Sequence, residues 1–125
     1  MNTKQNKRSK LVLIDANGIF RELMMQCADS HGISLDCFDS VMSMGTVGSF
    51  EDYDGVIIES EEGTLTGIEV GEYLSKFFIE KPMIMISEGL SPSGKNQLEW
   101  PSAIQGFVHK FKGPDAILNR ALEVC

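Results

Sequence analysis

Apolar and polar positions divide the chain into short apolar runs separated by longer stretches of mixed character. We read the runs at 11–15, 33–37, 54–59, 82–87 and 105–109 as strands. The first, third and fourth are continuously apolar rather than alternating, as expected when helices cover both faces of a parallel sheet. Between the first two runs, Phe20, Leu23, Met24, Cys27, Ala28 and His31 fall on one face of a helix, and Gly32 ends it. Val70, Tyr73, Leu74, Phe77 and Phe78 repeat that spacing in the third crossover. Leu118, Ala121, Leu122 and Cys125 repeat it at the C-terminal end, where Pro114-Asp115 supplies a preset φ and an acid near the positive helix end. Two crossovers are weak. Residues 38–50 hold Gly45, Gly48 and several Ser and Thr, which predicts a short or frayed helix. Residues 88–104 hold Gly89, Pro92, Gly94 and Pro101, which leave room for little more than a turn or two.

Alternating strand and helix units joined by right-handed crossovers predict an open α/β sheet, doubly wound, with the strand order 2-1-3-4-5. In such a sheet the site lies beyond the strand C-termini, at the switch point between strands 1 and 3. Asp15 and Glu59 end those two strands. Ser87 ends the next, and Lys110 closes the last. Acid, acid, hydroxyl and ammonium thus converge on one expected place.

That ordering resembles the receiver domain of two-component response regulators over nearly the whole chain, and implies the flavodoxin-like (CheY-like) five-stranded fold. In that family two acids follow strand 1, the phosphoacceptor aspartate ends strand 3, Ser or Thr ends strand 4, and Lys ends strand 5. By the resemblance, Asp15 matches the first acid, Glu59 the phosphoacceptor, Ser87 the hydroxyl and Lys110 the lysine. Phe107 matches the aromatic that changes rotamer on activation, and Gly67 the glycine opening helix 3. The departures are coherent. Ala16 stands where the family has its direct metal ligand, and Gly63 and Phe111 stand where it has prolines. Magnesium needs near-octahedral oxygen coordination, so losing a carboxylate at 16 weakens the site. Glu59 is one methylene longer than aspartate, and misplacement near 1 Å costs about 100-fold in rate. Without proline at 111, a cis peptide after Lys110 would cost roughly 3 kcal/mol, which predicts a trans bond and a rebuilt loop.

Glu59 has two readings: a carboxylate that pairs with Lys110 and holds two loops together, or a partial mimic of phosphoaspartate with roughly one charge fewer. Ser87 bonds Glu59 or caps its own loop. Phe107 is a core residue or a switch, and burial habits favour the core.

Charge narrows the partners. Lys4, Lys7, Arg8 and Lys10 make residues 1–10 a basic flexible leader, while the domain at 11–125 carries 7 basic against 18 acidic residues, a net −11. Such a body repels nucleic acid and anionic lipid, so we expect neither as partner. No apolar run approaches the roughly 20 residues that cross a bilayer, and we expect a cytoplasmic protein with reduced Cys27, Cys37 and Cys125. The acids Glu51, Asp52, Asp54, Glu59, Glu61 and Glu62 lack EF-hand spacing and read as a solvated rim. His31 sits at a helix end without an evident metal partner, His109 neighbours Lys110, and Trp100 reads as a cover for the sheet edge in preference to a partner anchor.

The function expected is therefore a stand-alone pseudo-receiver, not an enzyme and without metal or cofactor. It would bind a protein: a kinase, another regulator, a motility or polarity component, or a second copy, through the face of helix 4, strand 5 and helix 5. The rivals are a phosphorylatable, metal-dependent receiver and a small-ligand binder using the cleft between strands 1 and 3. Ala16-Asn17-Gly18 in place of a Ser- and Thr-rich phosphate loop speaks against the last.

Overall fold

The apolar runs lack alternation because both faces of the central strands are covered. In the computed structural model, which describes residues 8–40, 43, 52–62, 65, 66, 81–88 and 104–125, the chain forms β1 (Lys10–Ile14), α1 (Gly18–Ser30), β2 (Ser34–Phe38) and β3 (Gly55–Glu59). β4 (Glu61–Glu62), β5 (Leu65–Thr66), β6 (Met83–Ser87), β7 (Ile104–His109) and α2 (Pro114–Val124) follow. Five strands pair in parallel in the order β2-β1-β3-β6-β7, which is 2-1-3-4-5 by their sequence along the sheet. β4 and β5 form a separate antiparallel pair. Each predicted strand lies within one residue of an observed one.

Side chains alternate between two cores. Val12, Ile14, Val56, Ile58, Met83 and Met85 face one side, where Tyr53, Phe38 and Phe107 pack. Leu11, Leu13, Ile57, Ile84 and Ile86 face the other, against Met24 and Ala28 of α1 and Ile117, Leu118 and Ala121 of α2. Both layers are closed to solvent, with β1 fully buried from Leu11 to Ile14.

α1 begins at Asn17, whose side-chain oxygen accepts the Phe20 backbone N–H at 3.0 Å. It ends as predicted at Gly32, which has φ 71°. The Ile33 and Gly32 N–H groups return to the carbonyls of Ala28 and Asp29 at 2.8 and 3.1 Å, a Schellman closure with Ile33 buried against the same core as Ala28. The Arg8 guanidinium donates to the carbonyls of Gly32 and Ile33 at 3.0 and 3.1 Å. Lys10 is already in β1, so part of the predicted leader is tied to the domain by these bonds and by Ser34 N–H to the Ser9 carbonyl.

Two helix faces are narrower than their spacing suggests. Leu23 is 48% and Leu122 38% exposed, while Ile117 is fully buried. The apolar stripe of α2 is thus centred one residue earlier than the predicted set. β7 bulges: Met83 pairs with Ile104 and Ile84 with Gly106, leaving exposed Gln105 as the extra residue on an edge strand. The predicted weak helix at 38–50 lies largely outside the described residues. So do the third-crossover helix, Gly63, Gly67, most of 88–104, and Trp100. None of the described helices is long and apolar enough to cross a membrane.

Candidate functional site

The C-terminal ends of β1, β3, β6 and β7 lie together because parallel register sets them side by side. Ile14 pairs with Ile58, Glu59 with Ile86, and Ser87 with His109. Asp15 follows β1, Glu59 and Ser87 are the last residues of their strands, and Lys110 opens a 3-10 turn (Lys110–Lys112) directly after β7. The sequence-predicted residues therefore meet in one place.

Lys110 is the centre of that place. Its ammonium is 2.8 Å from Asp15 Oδ2, 3.6 Å from Glu59 Oε2 and 3.6 Å from Glu88 Oε2. The Phe20 ring of α1 lies beneath it, 4.3 Å from Nζ to the centroid. The expected Glu59–Lys110 pair exists, but it is the longer contact; Asp15 is the close partner. The reason is depth. Asp15 is fully buried and Lys110 nearly so, whereas Glu59 keeps 17% of its side chain exposed. The deepest charge takes the cation, since an unpaired buried charge is costly. The Asp15–Lys110 contact is an ion pair without in-line hydrogen-bond geometry.

Asp15 is held on its other side too. Its Oδ1 accepts the Asn17 N–H at 2.8 Å, and its carbonyl accepts from the Arg21 guanidinium at 2.7 Å. The same Asn17 caps α1, so the turn that starts the helix also fixes the acid. Burial, and then the neighbouring Asp15 carboxylate, push Glu59 up to about 7, against the pull of Lys110. Burial alone would lower Lys110, but Asp15, followed by Glu59 and Glu88, holds it above its ordinary value.

Magnesium would require oxygen ligands on an open face of the carboxylates. Here Asp15 Oδ1 is taken by a backbone N–H, Oδ2 faces an ammonium, and Ala16 is an exposed apolar residue. The described residues do not fit that metal.

Ser87 is buried at the end of β6. Phe107 packs against the core cluster, consistent with its reading as a core residue. Its ring meets His109 edge-on at 5.0 Å, and His109 in turn lies 5.1 Å from Phe111, which is 75% exposed. The peptides of the loop after Lys110 are trans, and the loop turns at Gly113 with φ 94°. Sequence reasoning missed Glu88 and the role of Phe20. Glu88 was signalled by its place directly after a strand end; the placement of Phe20 under Lys110 needed the packing of α1 on the sheet.

No family model matches the sequence, and no curated protein matches it. Solved structures do. The chemotaxis response regulator CheY4 of Vibrio cholerae superposes with TM-score 0.76 at 15% identity, over 95% of this chain and all (100%) of that one. The receiver domain of the Francisella response regulator 1452 gives TM-score 0.74 at 18% identity, over 94% and 96% of the two chains. HP1043, an orphan response regulator of H. pylori, gives 0.73 at 12% identity, over 94% and 98%. At these identities the likeness speaks for the fold alone: the chain has the five-stranded parallel architecture of response-regulator receiver domains.

Proposed function

We propose that the chain is a receiver-fold signalling module that binds another protein without accepting phosphate. The observation that carries this reading is Glu59 at the end of β3 and exposed Ala16 after Asp15, gathered around a Lys110 Nζ 2.8 Å from Asp15 and 3.6 Å from Glu59. Lys110 is the lysine that the receiver pattern itself carries, so residues 16 and 59 are what speak against phosphoryl transfer. Ala16 supplies no oxygen to restore the metal, and Glu59 replaces the acceptor with a longer carboxylate. Because Glu59 sits at about 7, it carries only part of a charge at neutral pH. That favours a carboxylate holding loops over a constant phosphate mimic.

With no catalysis and no cofactor assigned, output comes from the surface. The docking surface is the face of β7 and α2; the helix 4 expected beside them lies outside the described residues. Phe111 and Leu122, 75% and 38% exposed, add apolar contact there. The partner is a kinase, a second regulator, a motility or polarity component, or another copy of the chain. The acidic body, net −11 outside the first ten residues, disfavours nucleic acid and anionic membrane. A cytoplasmic setting fits these traits.

The test is partner capture from the native cell, followed by affinity measurement with and without magnesium and acetyl phosphate. Equal affinity is expected. Binding that appears only after the phosphodonor is added would overturn the proposal.

A further inference from the structure

Away from Lys110, α1 and α2 bring together three side chains that the functional reading does not use. Cys27 lies in the last turn of α1 and His31, four residues on, caps that helix, while Asp115 stands in the first turn of α2. Cys27 Sγ is 2.9 Å and His31 Nε2 2.7 Å from the same atom, Asp115 Oδ1. All ligand atoms of the group lie within 4.8 Å of one another. We propose that Cys27, His31 and Asp115 form a zinc-binding site that clasps α1 to α2.

The chemistry selects the ion. A thiolate, an imidazole nitrogen and a carboxylate oxygen suit zinc, whereas magnesium and calcium take oxygen ligands. Residues at i and i+4 on a helix present two ligands on one face, as in helical zinc motifs. The third ligand comes from 84 to 88 residues away, and it is already in place. Zinc bond lengths of about 2.0–2.3 Å in a tetrahedron put neighbouring ligand atoms roughly 3.3–3.5 Å apart. The two contacts to Asp115, at 2.9 and 2.7 Å, need lengthen by less than about 1 Å to reach that spacing. His31 and Asp115 are 41% and 75% exposed, so rotation is unobstructed and the ion has an entry path.

On binding, zinc takes the place of the Cys27 thiol proton, which leaves to solvent as the Sγ–Zn bond forms. His31 binds through Nε2 in its neutral form and keeps its proton on Nδ1. Three protein ligands leave the fourth position to water. The site is independent of the Lys110 cluster and of the proposed function.

The full chain, stripped with a chelator, is titrated with zinc chloride against a chromogenic zinc indicator, and separately with cobalt chloride. One zinc equivalent is expected, together with a thiolate-to-cobalt charge-transfer band. Cys27→Ser, His31→Gln and Asp115→Asn should each weaken zinc binding by roughly tenfold or more, while Cys125→Ser leaves it unchanged. Wild-type protein supplies a readout that no folding defect confounds. Zinc should slow iodoacetamide alkylation of Cys27, with exposed Cys125 as the internal reference. A cobalt complex without the thiolate band would overturn the site. So would equal zinc affinity in all three variants, or Cys27 alkylation unaffected by zinc; the cluster is then a hydrogen-bonded clasp only.

Discussion

Lys110 decides what the strand ends can do, because it is the cation that the buried Asp15 needs. Lys110→Ala leaves Asp15, with no exposed surface, without its ion-pair partner. Breaking such a pair from one side should cost about 3–5 kcal/mol in denaturant unfolding. Asp15→Asn with Lys110→Met removes both charges and should cost less than Lys110→Ala alone. Glu59→Gln with Lys110→Met should bring no such relief, since Asp15 stays unpaired. Relief by the Glu59 double variant and not by the Asp15 one would reverse the assignment of partners. Glu59 makes a second statement, about pH. Its folded value of about 7 lies above the ordinary 4.5, so the folded state holds that proton more tightly than the unfolded chain. The associated stability is complete below about pH 4.5 and is lost as pH rises through about 7. Glu59→Gln should therefore match wild type near pH 4.5 and become the more stable protein above pH 7, by about 2 kcal/mol after allowing for solvent screening. Stability curves of the two proteins that run parallel across that window would contradict the assignment.

Helix ends, more than helix faces, position the site at the level of elements. Asn17 both caps α1 and gives its N–H to Asp15, so Asn17→Ala should lose about 1 kcal/mol from the cap. Gly32 has φ 71°, and the space where an alanine methyl would stand is open. Gly32→Ala should therefore cost about 1–2 kcal/mol from backbone conformation alone. Thermal or denaturant unfolding measures both, and a Gly32→Ala protein as stable as wild type would exclude the Schellman closure. Much of this level was legible in the sequence. Continuous apolar runs announced strands buried on both faces, and Gly32 announced the stop of α1. The exposure of Leu23 and Leu122 was not legible, because spacing gives a face but not how much of it the neighbour covers. The choice of Asp15 over Glu59 by Lys110 was hidden for a related reason: strand ends locate residues, while depth ranks them. Cys27 and His31 were legible as neighbours on one helix face, but Asp115 joins them only when α1 packs on α2.

For the whole molecule, a receiver-like sheet gathers its strand-end acids around one internal ammonium. The parallel order places Asp15, Glu59, Ser87 and Lys110 together at the strand ends, and on the proposed reading that place takes no metal. On the proposed reading, the acidic composition and the exposed Phe111 serve contact with a protein. The most direct measurement is intact mass after incubation with millimolar magnesium and acetyl phosphate. An Ala16→Asp, Glu59→Asp variant serves beside it, because it restores one metal ligand and the acceptor's reach. The wild-type mass should stay unchanged. A stoichiometric gain of about 80 Da at Glu59, the mass of a transferred phosphoryl group, would contradict a strand-end site closed to phosphate.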